Sequence, residues 1–363
     1  MNAAAPHPAL TTPLTSMLGC RHPIIQTAMG WVATSDLVIA SIKAGAFGFL
    51  AAAVMRPEEC EAEIRRIKDA SDAPFGVNFH AFQPGADKIV DIIIDHGIRA
   101  VSYGRAPSEA MIAKLKRANV LCIPTIGAGK HAKKAVALGA DALVCQGQEG
   151  GGHTGFTPTW LLLSQVMDAV DVPVAPAGGF KDGRGLAAAL TFGADGVAMG
   201  TRFMMTADSP TPGATKNAYL SSDVGRIPVS TKLDGLPQRM IMNDTLARLE
   251  RSNGLEMLLR ALMNGWKYKE MSDASMVDMV KTAWTASRSS DLTFSQTMMA
   301  ANAPVIIKKS MIDGKPEEGV LPSGQVAGLI DDLPTCAELI AEMVAQAEER
   351  LRTVSAPFPK AAE

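Results

Sequence analysis

The stretch Val172 to Arg202 reads VPVAPAGGFKDGRGLAAALTFGADGVAMGTR. It holds two short apolar runs, 172–176 and 196–199, each ending in a glycine turn, with a helical pattern over 185–192 between them. A brief, continuously apolar run fits a strand buried on both faces of a parallel sheet. Gly193 stands where a helix stops in the left-handed conformation before the next strand. The stretch is therefore one strand-helix unit and the start of another.

The same grammar recurs upstream. Ala44-Gly45-Ala46 and Leu138-Gly139-Ala140-Asp141 repeat the helix stop before a strand. Strand-like runs fall at 22–27, 46–50, 75–79, 100–103, 120–126 and 142–145. Helical patterns fall between them at 57–70, 86–96, 108–118 and 131–138. Eight such units in about 200 residues predict an α/β protein of the (β/α)8 barrel class. An open doubly wound sheet is the rival architecture; the unit count and the late glycine turns favour the barrel.

After Arg202 the pattern changes. Residues 14–206 are assigned to the barrel. Residues 207–300, rich in Met, Lys and Arg and without strand alternation, read as a helical insertion or lid. Residues 301–354 read as a return segment, loop-rich from Pro304 to Gly328, and a terminal helix that packs on the barrel. Thr335 and Glu338 form a capping box at the start of that helix.

Composition narrows the function. Of 363 residues, 47% are hydrophobic and 20% charged, with a net charge of −2, which excludes a disordered chain and argues against nucleic-acid binding. The five cysteines, Cys20, Cys60, Cys122, Cys145 and Cys336, are scattered and form no CxxC pair, so they read as free thiols in a reducing compartment. The six histidines show no metal-binding spacing, and no metal is expected. No secretory leader and no membrane span are visible, so a cytoplasmic protein without membrane partners is expected.

The chemistry is expected at the C-terminal ends of the strands. Gly178 and Gly179 follow the seventh run, and Gly200 and Thr201 the eighth. Loops at these two positions, with a helix N-terminus nearby, make the usual phosphate site of a barrel. The plainer reading is that these glycines only shape tight turns. After the sixth run comes Gln146-Gly147-Gln148-Glu149-Gly150-Gly151-Gly152-His153-Thr154-Gly155. A histidine held among glycines on that face is a candidate for proton transfer near neutral pH, against the alternative of a loop hydrogen bond. Ala28, Met29 and Gly30 follow the first run. Asn78 ends the third, where it needs a polar partner: either the backbone or a ring with amide edges. Lys130 follows the fifth, at a flavin or simply at a helix start. Cys145 and His22 read as structural, the methionines as core or lid filler, and Lys308-Lys309 as a solvated pair.

These residues resemble the nitronate monooxygenase (formerly 2-nitropropane dioxygenase) family. The motifs are Gln26 to Gly30, Asn78, the Gln146 to Gly155 loop, Ala177-Gly178-Gly179 and Met199 to Arg202, in order over 15–328. The resemblance implies an FMN-dependent barrel with an added helical domain. It implies His153 as the catalytic residue and Ala28, Met29, Gly30, Asn78, Gln146, Gly151, Gly178, Gly179, Gly200 and Thr201 as flavin contacts. Gly150 to Gly155, Phe180 to Leu186, Met299 to Pro304 and Val320 to Gly328 resemble a steroid-catabolism branch of the family. That branch implies dehydrogenation of the ring of a hydrindane acyl-CoA. Oxidation of alkyl nitronates with O2 and flavin-dependent enoyl-thioester reduction remain the alternatives. NAD(P) is a candidate electron partner, and a homodimer is compatible with the reading. One departure is visible: nitronate oxidisers often read Ala-Gly-Gly-His, and Gly150 stands where that alanine would be.

Overall fold

The structure is a computed structural model and describes residues 7–104, 106–252 and 302–355. Its centre is a parallel sheet: β1 (Ile24–Gln26), β2 (Phe47–Ala51), β3 (Gly76–Asn78), β4 (Ala100–Ser102), β5 (Leu121–Cys122), β6 (Thr125–Ile126), β7 (Leu143–Gln146), β9 (Val174–Ala177) and β10 (Val197–Met199). The spatial order is β5-β4-β3-β2-β1-β10-β9-β7-β6. The run expected as a single fifth strand over 120–126 is split into β5 and β6, because Pro124 cannot donate to a ladder. Its two halves face different neighbours. Ile123 N donates to Val101 O at 2.9 Å, and Val144 N donates to Pro124 O at 3.0 Å. This one stretch joins β4 to β7 and closes the sheet into an eight-stranded barrel.

The interior of the barrel is graded in size. Ile25, Phe47, Phe49 and Val144 fill it together with Ala100, Ala142, Ala175, Ala177 and Ala198. The bottom is plugged by α1 (Pro13–Leu18), whose Leu14 and Leu18 are buried in the same cluster. Small side chains at the β9 and β10 ends leave space at the opposite mouth.

The helices follow the expected grammar. They are α2 (Ser35–Lys43), α3 (Pro57–Ala70), α4 (Ala86–Asp95), α5 (Glu109–Arg117), α6 (Lys130–Ala137), α7 (Thr159–Met167) and α8 (Gly183–Phe192). Gly45, Gly139 and Gly193 all have positive φ, at 96°, 101° and 105°. Lys130 opens α6 and is exposed.

Beyond the barrel, α9 (Thr201–Met204), α10 (Gly213–Leu220), α11 (Asp244–Arg251), α12 (Asn302–Met311) and α13 (Cys336–Ser355) follow. Two readings of this region are corrected. Residues 207–252 are not helical throughout: β11 (Val229–Ser230) and β12 (Gln238–Ile241) lie among them. These strands are too short to show alternation, and all four residues of β12 are buried. The stretch 304–328 is loop-rich only after Met311, since its first eight residues belong to α12. Pro304 sits in the first turn, where its missing N–H is no loss. The rest of the insertion, 253–300, and Met298-Met299 lie outside the described residues.

α13 carries a stripe of buried Leu339, Ile340, Met343, Ala347 and Leu351 at helical spacing. Burying each of its larger side chains is worth roughly 1.5–3 kcal/mol. Its start is capped as expected: Thr335 N donates to Glu338 Oε2 at 2.8 Å, and Glu338 N donates back to Thr335 Oγ1 at 3.2 Å. Gly183 of α8 lies so close that a Cβ there would stand 2.2 Å from Met343 O.

Candidate active site

Outside the barrel, a small antiparallel sheet shapes the mouth. The loop after β7 includes a two-residue strand, β8 (Gly152–His153), and β12 pairs with it, setting Gln238 opposite His153. On its other edges β12 pairs with β11 and with β13 (Leu321–Pro322). Residues far apart in the chain are thereby drawn over the C-terminal ends of β7, β9 and β10.

The glycine-rich loop is pinned along its length. Gln146 Nε2 donates to His153 O at 2.8 Å and to Gly151 O at 3.3 Å. Thr154 Oγ1 donates to Gly147 O at 3.1 Å. The Glu149 carboxylate accepts Thr159 N at 2.9 Å and Thr159 Oγ1 at 2.7 Å, capping α7. Behind the loop, buried Arg239 donates from Nε to Gln148 O at 2.9 Å. Burial lowers the Arg239 pKa from its ordinary value, and the Glu149 charge works against that shift. Gly150 has a packing reason: a Cβ there would stand 2.6 Å from Gln146 Cγ.

His153 stands at the mouth. Its side chain is 59% exposed, yet its Nε2 lies 2.8 Å from Oδ2 of Asp234, which is only 4% exposed. Gln238 Nε2 donates to the same Oδ2 at 2.7 Å and approaches His153 Nε2 at 3.2 Å. Leu236 N donates to Asp234 Oδ1 at 3.0 Å. The sequence reading found His153 but missed Asp234 and Gln238. The only local signal was the Asp234-Gly235 pair, which marks a turn.

A cavity of about 370 Å³ opens beneath His153. Each site residue expected from the sequence lines it: Ala28, Met29 and Gly30 after β1, Asn78 on β3, Gln146 and Gly151 around β7, and Gly178, Gly179, Gly200 and Thr201 after β9 and β10. Gly324, Ser102 and Gln238 join them. Asn78 already has partners in the protein: its Nδ2 donates to Ser102 O at 3.0 Å and Ser102 Oγ at 3.1 Å. The structural alternative for its amide nitrogen therefore holds, and only its Oδ1 is left for a ligand. Lys130 does not line the cavity.

The β9 and β10 ends form a cradle of backbone. Gly178 and Gly179 have φ of 105° and 86°. A Cβ on Gly178 would come 2.9 Å from Gly150 N, and one on Gly151 would come 2.5 Å from Gly324 N. Among the described residues, the N–H groups of Gly179, Gly200 and Thr201 meet no acceptor. Thr201 Oγ1 accepts Gly324 N at 3.0 Å, which leaves its own hydrogen to donate. Buried Arg202 sits behind this turn, with one guanidinium nitrogen 2.7 Å from Asp332 Oδ1. Orphaned donors beside close-packed glycines make a site for an anion such as a phosphate. Cys145, at the base, is no nucleophile: burial pushes its thiol up to about 12.

Comparison with known proteins gives a consistent picture. The family model for nitronate monooxygenase matches residues 11–90 and 82–346. The chain is 47% identical over 350 residues to the (3aS,4S,5R,7aS)-5-hydroxy-7a-methyl-1-oxo-octahydro-1H-indene-4-carboxyl-CoA dehydrogenase of Mycobacterium tuberculosis, covering 96% of this chain and 99% of the relative. Among solved structures it is similar to FabK from Thermotoga maritima, with a TM-score of 0.77 and 27% identity over 95% of this chain and 98% of that one. It is also similar to a nitroalkane oxidase from Streptomyces ansochromogenes, with a TM-score of 0.75 and 25% identity over 95% of this chain and 100% of that one.

Proposed function

Because the chain belongs to the nitronate monooxygenase family, we propose that it is an FMN-dependent oxidoreductase that dehydrogenates the ring of a hydrindane carboxyl-CoA. The observation that carries this reading is the joint placement of His153 and the orphaned amide cradle on one cavity. The substrate class is supported by the relative that shares 47% identity across nearly its whole length.

The donors present fit the cofactor. The N–H groups of Gly179, Gly200 and Thr201 and the Thr201 hydroxyl would hold its phosphate, and Asn78 Oδ1 offers an acceptor to a ring N–H. FMN, when bound, supplies the acceptor for the two electrons and hydrogen lost from one ring carbon.

The protein's own contribution is proton chemistry and orientation. The carbon next to a thioester carbonyl carries an acidic hydrogen, and His153 takes it. General-base catalysis of this kind is worth on the order of 10²–10⁴ in rate. The Gln146 bonds to Gly151 O and His153 O fix the backbone that carries the imidazole. With the adjacent carbon losing hydride, the product carries a double bond conjugated with the thioester.

His153→Ala tests the assignment. The variant should bind flavin with unchanged absorbance while turnover of the acyl-CoA falls by about 10²-fold or more. Full turnover would remove His153 from the reaction. A second reading, nitronate oxidation with O2, has support in the similarity to the nitroalkane oxidase. Under anaerobic conditions, flavin bleaching by the acyl-CoA supports the first reading, and bleaching only by a nitronate supports the second.

A further inference from the structure

We propose that Asp234 is the positioning residue for His153: it holds the imidazole in the tautomer with hydrogen on Nε2, and so makes Nδ1 the atom that receives the substrate proton. The proposal rests on the reading of His153 as the base.

The argument starts from a short distance. His153 Nε2 and Asp234 Oδ2 are 2.8 Å apart, which is a hydrogen-bond length only if a hydrogen lies between them. The hydrogen belongs on Nε2. Asp234 already accepts Leu236 N at Oδ1 and Gln238 Nε2 at Oδ2, so both of its oxygens act as acceptors. Its carboxylate is nearly sealed from water, so a lone pair of Nε2 facing it would be a repulsive contact without solvent to relieve it.

Gln238 removes the remaining ambiguity. Its amide nitrogen stands 2.7 Å from Asp234 Oδ2. Turning the amide over would set its oxygen against the carboxylate, so the nitrogen is where the network requires it. One of its hydrogens goes to Oδ2. Its 3.2 Å approach to His153 Nε2 is then a contact between two donors, set by the β8–β12 register rather than a bond.

The other ring nitrogen is different. Nδ1 has no hydrogen-bond partner among the described residues, and it belongs to a side chain that is mostly exposed at the cavity mouth. In the proton step the substrate C–H bond breaks and an N–H bond forms at Nδ1. The electron pair stays on the substrate, delocalised onto the thioester. The imidazolium that results faces the Asp234 carboxylate, which stabilises it without taking its proton. Asp234 belongs to the segment beyond the barrel, 81 residues after His153. That segment therefore completes the base as well as bordering the mouth.

The test reads the tautomer directly. Holoenzyme labelled with 15N-histidine is examined by NMR at a pH where the ring is neutral, with His153→Ala identifying the signal. The expected spectrum shows Nε2 protonated and Nδ1 bare. Hydrogen on Nδ1 in the natural protein overturns the proposal, and this readout needs no substrate. In Asp234→Asn an amide nitrogen can face the ring, so the hydrogen should move to Nδ1. Its kcat should fall by on the order of 10²-fold or more with KM changed far less, and Asp234→Glu should recover part of the loss. An Asp234→Asn protein with unchanged tautomer and unchanged kcat also refutes it. An inactive role for His153 would instead show as full turnover in His153→Ala, with the tautomer still as expected.

Discussion

Alanine at Gly178 and alanine at Gly179 should have unequal consequences, although the two glycines are neighbours in one turn. Both have backbone angles that L side chains avoid, with φ of 105° and 86°. Forcing a side chain into the left-handed region costs roughly 1–2 kcal/mol. At Gly179 little is added, because the nearest atom to a new Cβ is Glu149 Cβ at 3.7 Å, an ordinary contact. At Gly178 the new Cβ would meet Gly150 N at 2.9 Å and Thr159 Oγ1 at 3.1 Å. Neither can yield cheaply. Gly150 N is bonded to Gly147 O at 3.0 Å, and Thr159 Oγ1 donates to Glu149. Overpacking against such atoms adds about 1–3 kcal/mol. Alanine also reduces the freedom of the unfolded chain by about 0.4–1 kcal/mol, equally for both variants. The net expectation is a small loss for Gly179→Ala, and for Gly178→Ala a loss about 1–3 kcal/mol larger. Urea unfolding followed by tryptophan fluorescence measures the difference, since Trp160 lies on α7 beside the turn. Flavin retention should fall in the same order. Equal stability of the two variants within about 0.5 kcal/mol would refute the packing argument.

Two further outcomes follow from the environments of titratable groups. Burial pushes the thiols of Cys20, Cys60 and Cys145 up to about 12 and those of Cys122 and Cys336 up to about 11, so a thiolate-specific reagent at neutral pH should label none of the five quickly in the folded protein and all five after denaturation. At the start of α13, the Thr335 backbone N–H and then its hydroxyl hold the Glu338 carboxyl below its ordinary value. This cap contributes fully above the unfolded carboxyl range and is lost as pH falls through the lowered folded value, so acid unfolding of Glu338→Gln should show a weaker pH dependence. Thr335→Ala should cost about 0.5–2 kcal/mol in urea unfolding at neutral pH.

What the sequence made legible is short-range. A strand that runs straight into a glycine turn declares both its own end and the direction of its neighbour, because parallel strands all present the same end to the same face. That is why Gly30, Asn78, His153, Gly178 and Gly200, spread over 170 residues, could be assigned to one mouth before their contacts were known. The split of the fifth strand, read as one run over 120–126, has its cause in Pro124. Asp234 was not. Nothing near it differs from an ordinary Asp-Gly turn, and its role depends on β12 finding β8 across the chain. Such antiparallel pairing of two- and four-residue strands leaves no periodicity to read. The burial of Gln238 and Arg239 is equally silent in sequence, since polar residues are placed at the surface by default. The asymmetry has a physical cause. The barrel supplies a face on which any loop can carry chemistry, so its turns can be read one at a time. The contact between His153 and Asp234 depends on two backbones placed so that their side chains meet at 2.8 Å, and only the assembled small sheet defines that distance.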